Sequence, residues 1–83
     1  MKKIVIFGST GSIGCSLINI IKKEKKNFEV KLLTANKNYK KIIKQSKTLN
    51  VKNIIITDKK SFLINKKILK KSKINIYNNF NSL

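Results

Sequence analysis

Three glycines in one short segment are the residues of this sequence best suited to binding a phosphate. The segment Gly8–Gly14 reads GSTGSIG, follows the apolar run Ile4–Phe7, and contains every glycine of the chain. A strand that breaks into a glycine turn and continues as a helix presents free backbone N–H groups at the positive end of the helix dipole. The segment therefore predicts a phosphate-binding turn between a strand and a helix.

Each glycine of this turn has its own expected role. Gly8 ends the strand where the chain turns sharply, Gly11 lets the backbone approach a pyrophosphate, and Gly14 lets the helix pack closely on the strand. Ser12 is available as the helix N-cap. The spacing is G-x-x-G-x-x-G rather than the standard G-x-G-x-x-G, so a tight turn without a ligand is the alternative. The position between a strand and a helix favours the cofactor site.

The segment after the second predicted strand indicates which cofactor this would be. NAD-specific sites carry an acidic residue about 20 residues after the glycines, where it binds the ribose 2′-hydroxyl. This chain has Thr34–Asn38 there, TANKN, with no carboxylate. Lys37 would attract a 2′-phosphate, with Asn36 and Asn38 as neutral donors. The sequence favours NADP over NAD, although Lys37 is also consistent with one more lysine in a lysine-rich chain.

The charge of the chain invites a nucleic-acid interpretation that its composition does not support. The net charge is +17, and all 20 basic residues are lysine. Proteins that read bases or fork phosphates depend on the planar, bidentate geometry of arginine. Lysine, asparagine and isoleucine are abundant throughout the chain, as an AT-rich genome would produce. We therefore expect no nucleic-acid partner.

The residue inventory excludes several kinds of catalytic and metal site. The chain has no histidine and one cysteine, Cys15, so an internal disulfide, a His- or Cys-based metal site and a Ser-His-Asp triad are excluded within it. Cys15 and Asp58 lack partner groups nearby in sequence, so we interpret them as a packing residue and a helix cap. No apolar run reaches the ~18 residues of a membrane span. The expected partners include no membrane, and the expected location is the cytoplasm.

Predicted strands and helices alternate along the whole chain. The predicted strands are Lys2–Phe7, Phe28–Thr34, Asn53–Thr57 and Ile74–Tyr77, and the predicted helices are Ser12–Lys23, Tyr39–Leu49 and Lys60–Lys71. The predicted inward faces are Gly14, Leu17, Ile18 and Ile21 in the first helix, Tyr39, Ile42, Ile43 and Ser46 in the second, and Leu63, Ile64 and Ile68 in the third. This order predicts an α/β fold: an incomplete Rossmann-like parallel sheet with helical crossovers.

Three stretches of the sequence resemble one enzyme family. They are KKIVIFGSTGSIGCS, NFEVKLLTANKN and VKNIIITD. Together they are similar to the N-terminus of the 1-deoxy-D-xylulose 5-phosphate reductoisomerase family: the GSTGSIG heptad matches without a gap, and ANKN resembles the AGKN of that family. The resemblance covers nearly the whole chain and is most specific over residues 1–38.

The resemblance implies an activity and a set of cofactor contacts. The family rearranges 1-deoxy-D-xylulose 5-phosphate and reduces the product with NADPH to 2-C-methyl-D-erythritol 4-phosphate, in isoprenoid biosynthesis, with Mg²⁺ or Mn²⁺ and as a homodimer. The NADPH-binding positions implied here are Thr10, Gly11, Ser12 and Ile13 in the turn and Asn36, Lys37 and Asn38 in the loop. Asn36 departs from the family, which has glycine there; asparagine tolerates a left-handed backbone better than most residues.

The resemblance also implies what this chain lacks. The metal carboxylates and the substrate-phosphate site of the family lie beyond residue 83, so residues 1–83 correspond to the N-terminal part of an NADP-binding Rossmann-like domain, without the catalytic and C-terminal domains. We expect the chain alone to be inactive and marginally stable. The sequence is also compatible with two alternatives: another NAD(P)-binding Rossmann epimerase or reductase, and, less favoured, a basic nucleic-acid-binding module.

Overall fold

Four strands and three helices alternate along the chain, as the sequence predicts. The structure is a computed structural model that describes residues 2–24, 26–70 and 72–80. The strands are β1 (Lys2–Ile6), β2 (Phe28–Ala35), β3 (Asn53–Ile56) and β4 (Asn75–Tyr77), and the helices are α1 (Ser12–Lys23), α2 (Tyr39–Leu49) and α3 (Lys59–Ile68). The bounds of α1 and α2 are as predicted. Lys71, the predicted end of the third helix, lies outside the described residues.

The four strands form one parallel sheet in the order β1-β2-β3-β4. Each parallel neighbour is reached through a helix, as parallel pairing requires. Helix α1 contacts α2 and α2 contacts α3. Side chains of the helices and strands share one core, which includes Ile18, Ile42, Leu33 and Ile54. The helices therefore cover the same face of the sheet, and the predicted α/β fold with helical crossovers is confirmed.

A β-bulge in β2 sets which side chains reach this core. Ile4 pairs with Val30 and Val5 pairs with Leu32, so Lys31 is the extra residue. Side chains of a regular strand alternate between faces, which would send residues three apart to opposite sides. The bulge restores Val30 and Leu33 to the same core. Without it, the carboxyl-terminal half of β2 would present its other side to the helices.

The second face of the sheet carries apolar side chains as well. Leu32 and Ile55 are buried but lie outside the helix-side core. Just after β1, the ring centroid of Phe7 lies 5.8 Å from the ring centroid of Phe80. Asn78 Nδ2 donates to the Ile56 carbonyl at 2.9 Å, so the segment after β4 runs along the carboxyl end of β3. Among the described helices none is long and apolar enough to cross a membrane.

Helix α3 does not bury the face that its apolar residues predict. Leu63 and Ile68 are 48% and 57% exposed, whereas Ser61 and Asn65 are buried. Asp58 fixes where the helix begins, and the buried positions then recur every four residues from Ser61. The predicted apolar face of α3 is therefore wrong. Within the described residues, the amide oxygen and nitrogen of the Asn65 side chain have no hydrogen-bond partner.

Helix α1 departs from its prediction at two residues. Gly14, Ile18 and Ile21 are buried as expected, but Leu17 is 44% exposed. Ser12 is the first helical residue, and Gly11 occupies the N-cap position. The prediction that Ser12 caps the helix is therefore wrong. A residue that has already entered the helix is one position too late to accept hydrogen bonds from the first turn.

Asp58 caps α3, as the sequence predicts. Its carboxylate accepts hydrogen bonds from the Ser61 amide at 3.0 Å and from the Ser61 hydroxyl at 2.8 Å. These two bonds, with attraction to Lys37 and Lys60, hold the pKa of Asp58 below its usual range. A lowered folded-state pKa stabilises the fold above the ordinary Asp range of about 4, and this contribution disappears as the pH falls through the lowered pKa.

We therefore expect Asp58→Ala to lower the melting temperature by several degrees at pH 7 and by much less in acid. Thermal melts followed by circular dichroism between pH 7 and pH 2 measure this. Asp58→Asn is the matched control, because asparagine caps a helix without a titrating charge. A wild-type advantage over Asp58→Ala that is the same at every pH would contradict the assignment of this cap.

Candidate cofactor site

The turn between β1 and α1 is fixed to the end of β2 by hydrogen bonds to one residue. The Gly8 amide donates to Thr34 Oγ1 at 2.8 Å, and the Ser9 amide and hydroxyl donate to the Thr34 carbonyl at 2.9 Å and 3.4 Å. Ser9 and Thr34 are buried. The turn therefore lies at the carboxyl end of the sheet, which is where open parallel sheets bind their ligands.

The three glycines differ in what requires them. Gly8 has a φ of 64°, a left-handed conformation that other residues rarely adopt. A Cβ on Gly14 would lie 2.6 Å from the Ser9 Cα atom and closer still to the Gly8 carbonyl oxygen. A Cβ on Gly11 would meet only the Gly8 carbonyl oxygen, at an ordinary 3.5 Å. The fold itself thus requires Gly8 and Gly14, whereas Gly11 leaves open space beside the turn.

Helix α1 begins without a side-chain cap. Gly11 has an extended backbone there, with φ −78° and ψ 176°, and its position has no side chain that could accept a hydrogen bond from the N–H groups of the first turn. The first three N–H groups of α1, on residues 12–14, have no partner within the helix. By contrast, Asn38 caps α2 and Asp58 caps α3. The start of α1 therefore offers free amides and a positive dipole end, which suit the phosphates of a dinucleotide.

The loop Asn36–Asn38 follows β2 directly and lies at the same end of the sheet. All three residues are exposed. The Asn36 carbonyl accepts from the Asp58 amide at 3.2 Å, and the Lys37 carbonyl accepts from the Tyr39 amide at 2.8 Å. Asn38 Oδ1 accepts from the Lys41 amide at 3.4 Å. The backbone of the loop is thus held in place, while the side chains of Asn36 and Lys37 face solvent.

The charge around this loop is positive, with one carboxylate nearby. Lys37 contributes to the lowered pKa of Asp58, after the two hydrogen bonds from Ser61. Those two bonds keep the Asp58 carboxylate at the start of α3, where it acts as the helix cap. The loop after β2 itself has no acidic side chain. This arrangement suits a 2′-phosphate better than a 2′-hydroxyl, which an acidic residue would bind.

The structure brings the predicted site residues to one edge of the sheet. Thr10, Gly11, Ser12 and Ile13 lie in the turn and first helical turn, and Asn36, Lys37 and Asn38 lie in the neighbouring loop. Gly11, Ser12 and Ile13 are exposed, and Thr10 is half-buried. That these residues bind the cofactor stays a prediction. Within the described residues, no group of three His, Cys, Asp or Glu could hold a metal ion.

Two residues that position the turn have no role in the sequence interpretation. Thr34 makes the hydrogen bonds described above, and Gln45 Nε2 donates to the Ser9 carbonyl at 2.8 Å from α2. Both are buried polar residues: Thr34 is the next-to-last residue of β2, and Gln45 lies on the same side of its helix as Ile42. A polar side chain on a buried face is the signal that could have identified them, because buried polar groups need partners.

Known proteins match this chain along almost its whole length. The family model for 1-deoxy-D-xylulose 5-phosphate reductoisomerase matches residues 4–82. The chain belongs to the 1-deoxy-D-xylulose 5-phosphate reductoisomerase family. The protein of that name from Pelagibacter ubique is 65% identical over all 83 residues, and the one from Buchnera aphidicola is 45% identical over 75 residues, or 90% of the chain.

Solved reductoisomerase structures share the fold. The enzyme from Zymomonas mobilis in complex with NADPH superimposes with a TM-score of 0.85 at 30% identity, covering 92% of this chain and 20% of that one. A second reductoisomerase, in complex with NADPH, fosmidomycin and magnesium, superimposes with a TM-score of 0.88 over 99% of this chain and 20% of that one. Its identity is 18%, so that likeness supports the fold alone.

The match concerns one part of the reductoisomerases. This chain spans about a fifth of the length of the curated relatives it matches, 21% for Pelagibacter ubique and 19% for Buchnera aphidicola. The expected family is confirmed, and so is its Rossmann-like fold. The two alternatives from the sequence, another Rossmann epimerase or reductase and a nucleic-acid-binding module, are not favoured by these matches.

Proposed function

We propose that this chain is the NADPH-binding N-terminal part of a 1-deoxy-D-xylulose 5-phosphate reductoisomerase. The observation that carries the proposal is the uncapped start of α1, which follows a turn that Thr34 holds beside a loop without an acidic residue. The free amides of the turn that contains Gly11 would hold the pyrophosphate, and Lys37 would hold the 2′-phosphate. Asn36 and Asn38 supply amide donors on either side.

The residues of the chain fit this cofactor. The space beside Gly11 admits a phosphate close to the backbone, because the nearest atom to a Cβ built there is 3.5 Å away. When bound, NADPH supplies the hydride for reduction. The chain binds the cofactor and orients it, and Thr34 and Gln45 keep the turn in the required shape from two different elements.

The complete reaction needs groups outside these 83 residues. In the proposed enzyme, 1-deoxy-D-xylulose 5-phosphate is isomerised and reduced to 2-C-methyl-D-erythritol 4-phosphate with Mg²⁺ or Mn²⁺. The carboxylates for that metal belong to the remainder of the family protein, as does the site for the substrate. We therefore propose that the chain alone binds the cofactor without turnover. As a separate proposal, the whole enzyme is a cytoplasmic homodimer.

A comparison of the two reduced cofactors tests the proposal. We expect the chain to bind NADPH about tenfold more tightly than NADH, because Lys37 attracts the added 2′-phosphate in a partly solvated site. Cofactor fluorescence or calorimetry at fixed ionic strength measures both dissociation constants. Free inorganic phosphate at equal ionic strength controls for general attraction to a chain of charge +17. Equal affinity for the two cofactors, or tighter binding of NADH, would refute the NADP assignment.

A further inference from the structure

Gln45 is a buried polar side chain whose amide group is only partly hydrogen-bonded. It lies on α2 and is 8% exposed. Its Nε2 donates to the Ser9 carbonyl at 2.8 Å and, more weakly, to the Cys15 sulfur at 3.9 Å. Its Oε1 is buried and has no partner among the described residues. An apolar side chain of similar shape would fill the same place without an unpaired acceptor, which costs free energy. Packing alone therefore does not account for a glutamine at this position.

The carbonyl that Gln45 holds shares a peptide unit with the Thr10 amide. The Ser9–Thr10 peptide is trans, and in a planar trans peptide the N–H points away from the C=O. Ser9 is fully buried, so Gln45 holds the carbonyl from the interior. Thr10 is half-buried and Gly11 is exposed. The Thr10 N–H is therefore directed away from α2, toward the open side of the turn.

The Thr10 amide is available to a ligand, unlike the amides on either side of it. The preceding amide, on Ser9, donates to the Thr34 carbonyl. The following amide, on Gly11, donates to the Gly8 carbonyl. Among the described residues, the Thr10 amide itself has no hydrogen-bond partner. A rotation of this one peptide unit would turn its N–H inward and remove it from the free amides of the site.

We propose that Gln45 is the positioning residue that orients this peptide for the pyrophosphate of NADPH. It holds the Ser9 carbonyl from behind, so that the Thr10 N–H faces the phosphate before the cofactor binds, which lowers the ordering cost of binding. This inference rests on the proposed function and adds to it a residue of α2 that does not touch the cofactor. The unpaired Oε1 is stability that the chain gives up for this arrangement.

Gln45→Met tests the role of the amide, because methionine has a similar length and no donor. We expect the dissociation constant for NADPH to rise about tenfold, since the bond from Thr10 to a phosphate is charge-assisted. That for NADH should rise by the same factor, because both cofactors carry the pyrophosphate. Adenosine 2′-phosphate lacks the pyrophosphate and should bind as it does to the wild-type chain. Calorimetry measures all three dissociation constants.

The stability of the same variant separates positioning from a purely structural role. Gln45→Met exchanges one unpaired acceptor, Oε1, for another, the Ser9 carbonyl, so the urea midpoint should stay close to that of wild type. Ser46→Ala is the matched control: Ser46 is buried on the same helix, and its hydroxyl donates to the Ile43 carbonyl at 2.8 Å. This control should lower the urea midpoint and leave the affinity for NADPH unchanged.

The outcomes distinguish this inference from the proposed function. If Gln45→Met lowered the urea midpoint and bound NADPH as tightly as wild type, the positioning role of Gln45 would be overturned, while the cofactor site would stand. A wild-type chain that bound neither dinucleotide would refute the proposed function itself.

A measurement on the wild-type chain keeps the inference testable if Gln45→Met fails to fold. A bond from the Thr10 N–H to the cofactor polarises the peptide and strengthens the bond at the Ser9 carbonyl. NADPH should therefore slow hydrogen exchange of the Gln45 side-chain amide, followed by NMR. The control is Asn53, at the start of β3, whose Nδ2 donates to the Lys31 carbonyl at 3.4 Å. Equal slowing of the two side-chain amides would reflect general stabilisation by the ligand and would contradict the proposal.

Discussion

We expect most molecules of the Gly14→Ala variant to be unfolded, whereas the Gly11→Ala variant should stay folded. The added methyl at Gly14 would lie 2.6 Å from the Ser9 Cα atom. Backbone atoms cannot rotate away as a flexible side chain can, so α1 would have to move away from the glycine turn. We expect a loss of about 3 kcal/mol, which is a large part of the stability of a small domain. Urea unfolding followed by circular dichroism measures it.

The same substitution three residues earlier serves as the matched control. A methyl at Gly11 has ordinary contacts within the chain, so Gly11→Ala should unfold at nearly the wild-type urea concentration. Its methyl would occupy the space that the pyrophosphate needs, and we expect the dissociation constant for NADPH to rise about tenfold or more. If Gly11→Ala bound NADPH normally, the turn would not be the phosphate site. If Gly14→Ala were as stable as wild type, the close packing of α1 on the turn would be wrong.

Lys37→Glu is expected to reverse the cofactor preference. The substitution places a carboxylate at the end of β2, where NAD-specific sites have one, and sets it against the 2′-phosphate. We expect the dissociation constant for NADPH to rise by about tenfold to a hundredfold, while that for NADH changes little or falls. Parallel titrations of both cofactors measure the change. Lys67→Glu, on the exposed side of α3, changes the net charge equally and is the control.

Lys37→Glu is also expected to affect the helix cap at Asp58. Lys37 lies close enough to Asp58 to lower its pKa, so the carboxylate introduced by Lys37→Glu would act on the cap of α3 with the opposite sign. A circular dichroism melt of each variant separates this effect from binding. An equal loss of NADPH affinity in both glutamate variants would contradict the specific role of Lys37 and leave only the general charge of the chain.

The order and kind of the elements could be predicted from the sequence because the signals are local. The buried run Ile54–Ile56 reads as a strand, and the turn formers before Tyr39 mark the start of α2. The glycine turn was predictable for the same reason, since the constraints that require Gly8 and Gly14 come from the turn itself. The resemblance added the family, which the comparisons confirm.

What could not be predicted depends on residues far apart in the chain. Gly8 bonds to Thr34 and Ser9 to Gln45, and neither partner stands out in its own segment. The inward face of α3, which buries Ser61 and Asn65, is set where the helix packs on α2, β3 and β4. The bulge at Lys31 likewise depends on pairing with β1. The local sequence pattern predicts where each helix and strand lies in the chain, whereas contacts between distant residues decide which side of each element packs inward.

The strand order has a consequence for how such a chain is made. The strands β1, β2, β3 and β4 pair in the order in which they are synthesised. Each described strand after β1 can therefore pair, as soon as it is made, with the strand that precedes it in the chain. Each strand–helix–strand unit can close on the ribosome as soon as its second strand has emerged, and domains fold in this N-terminal-first manner during synthesis. The outer edge of β1 is not paired within the described sheet. A strand that paired with this edge later would therefore join a sheet in which the glycine turn had already formed.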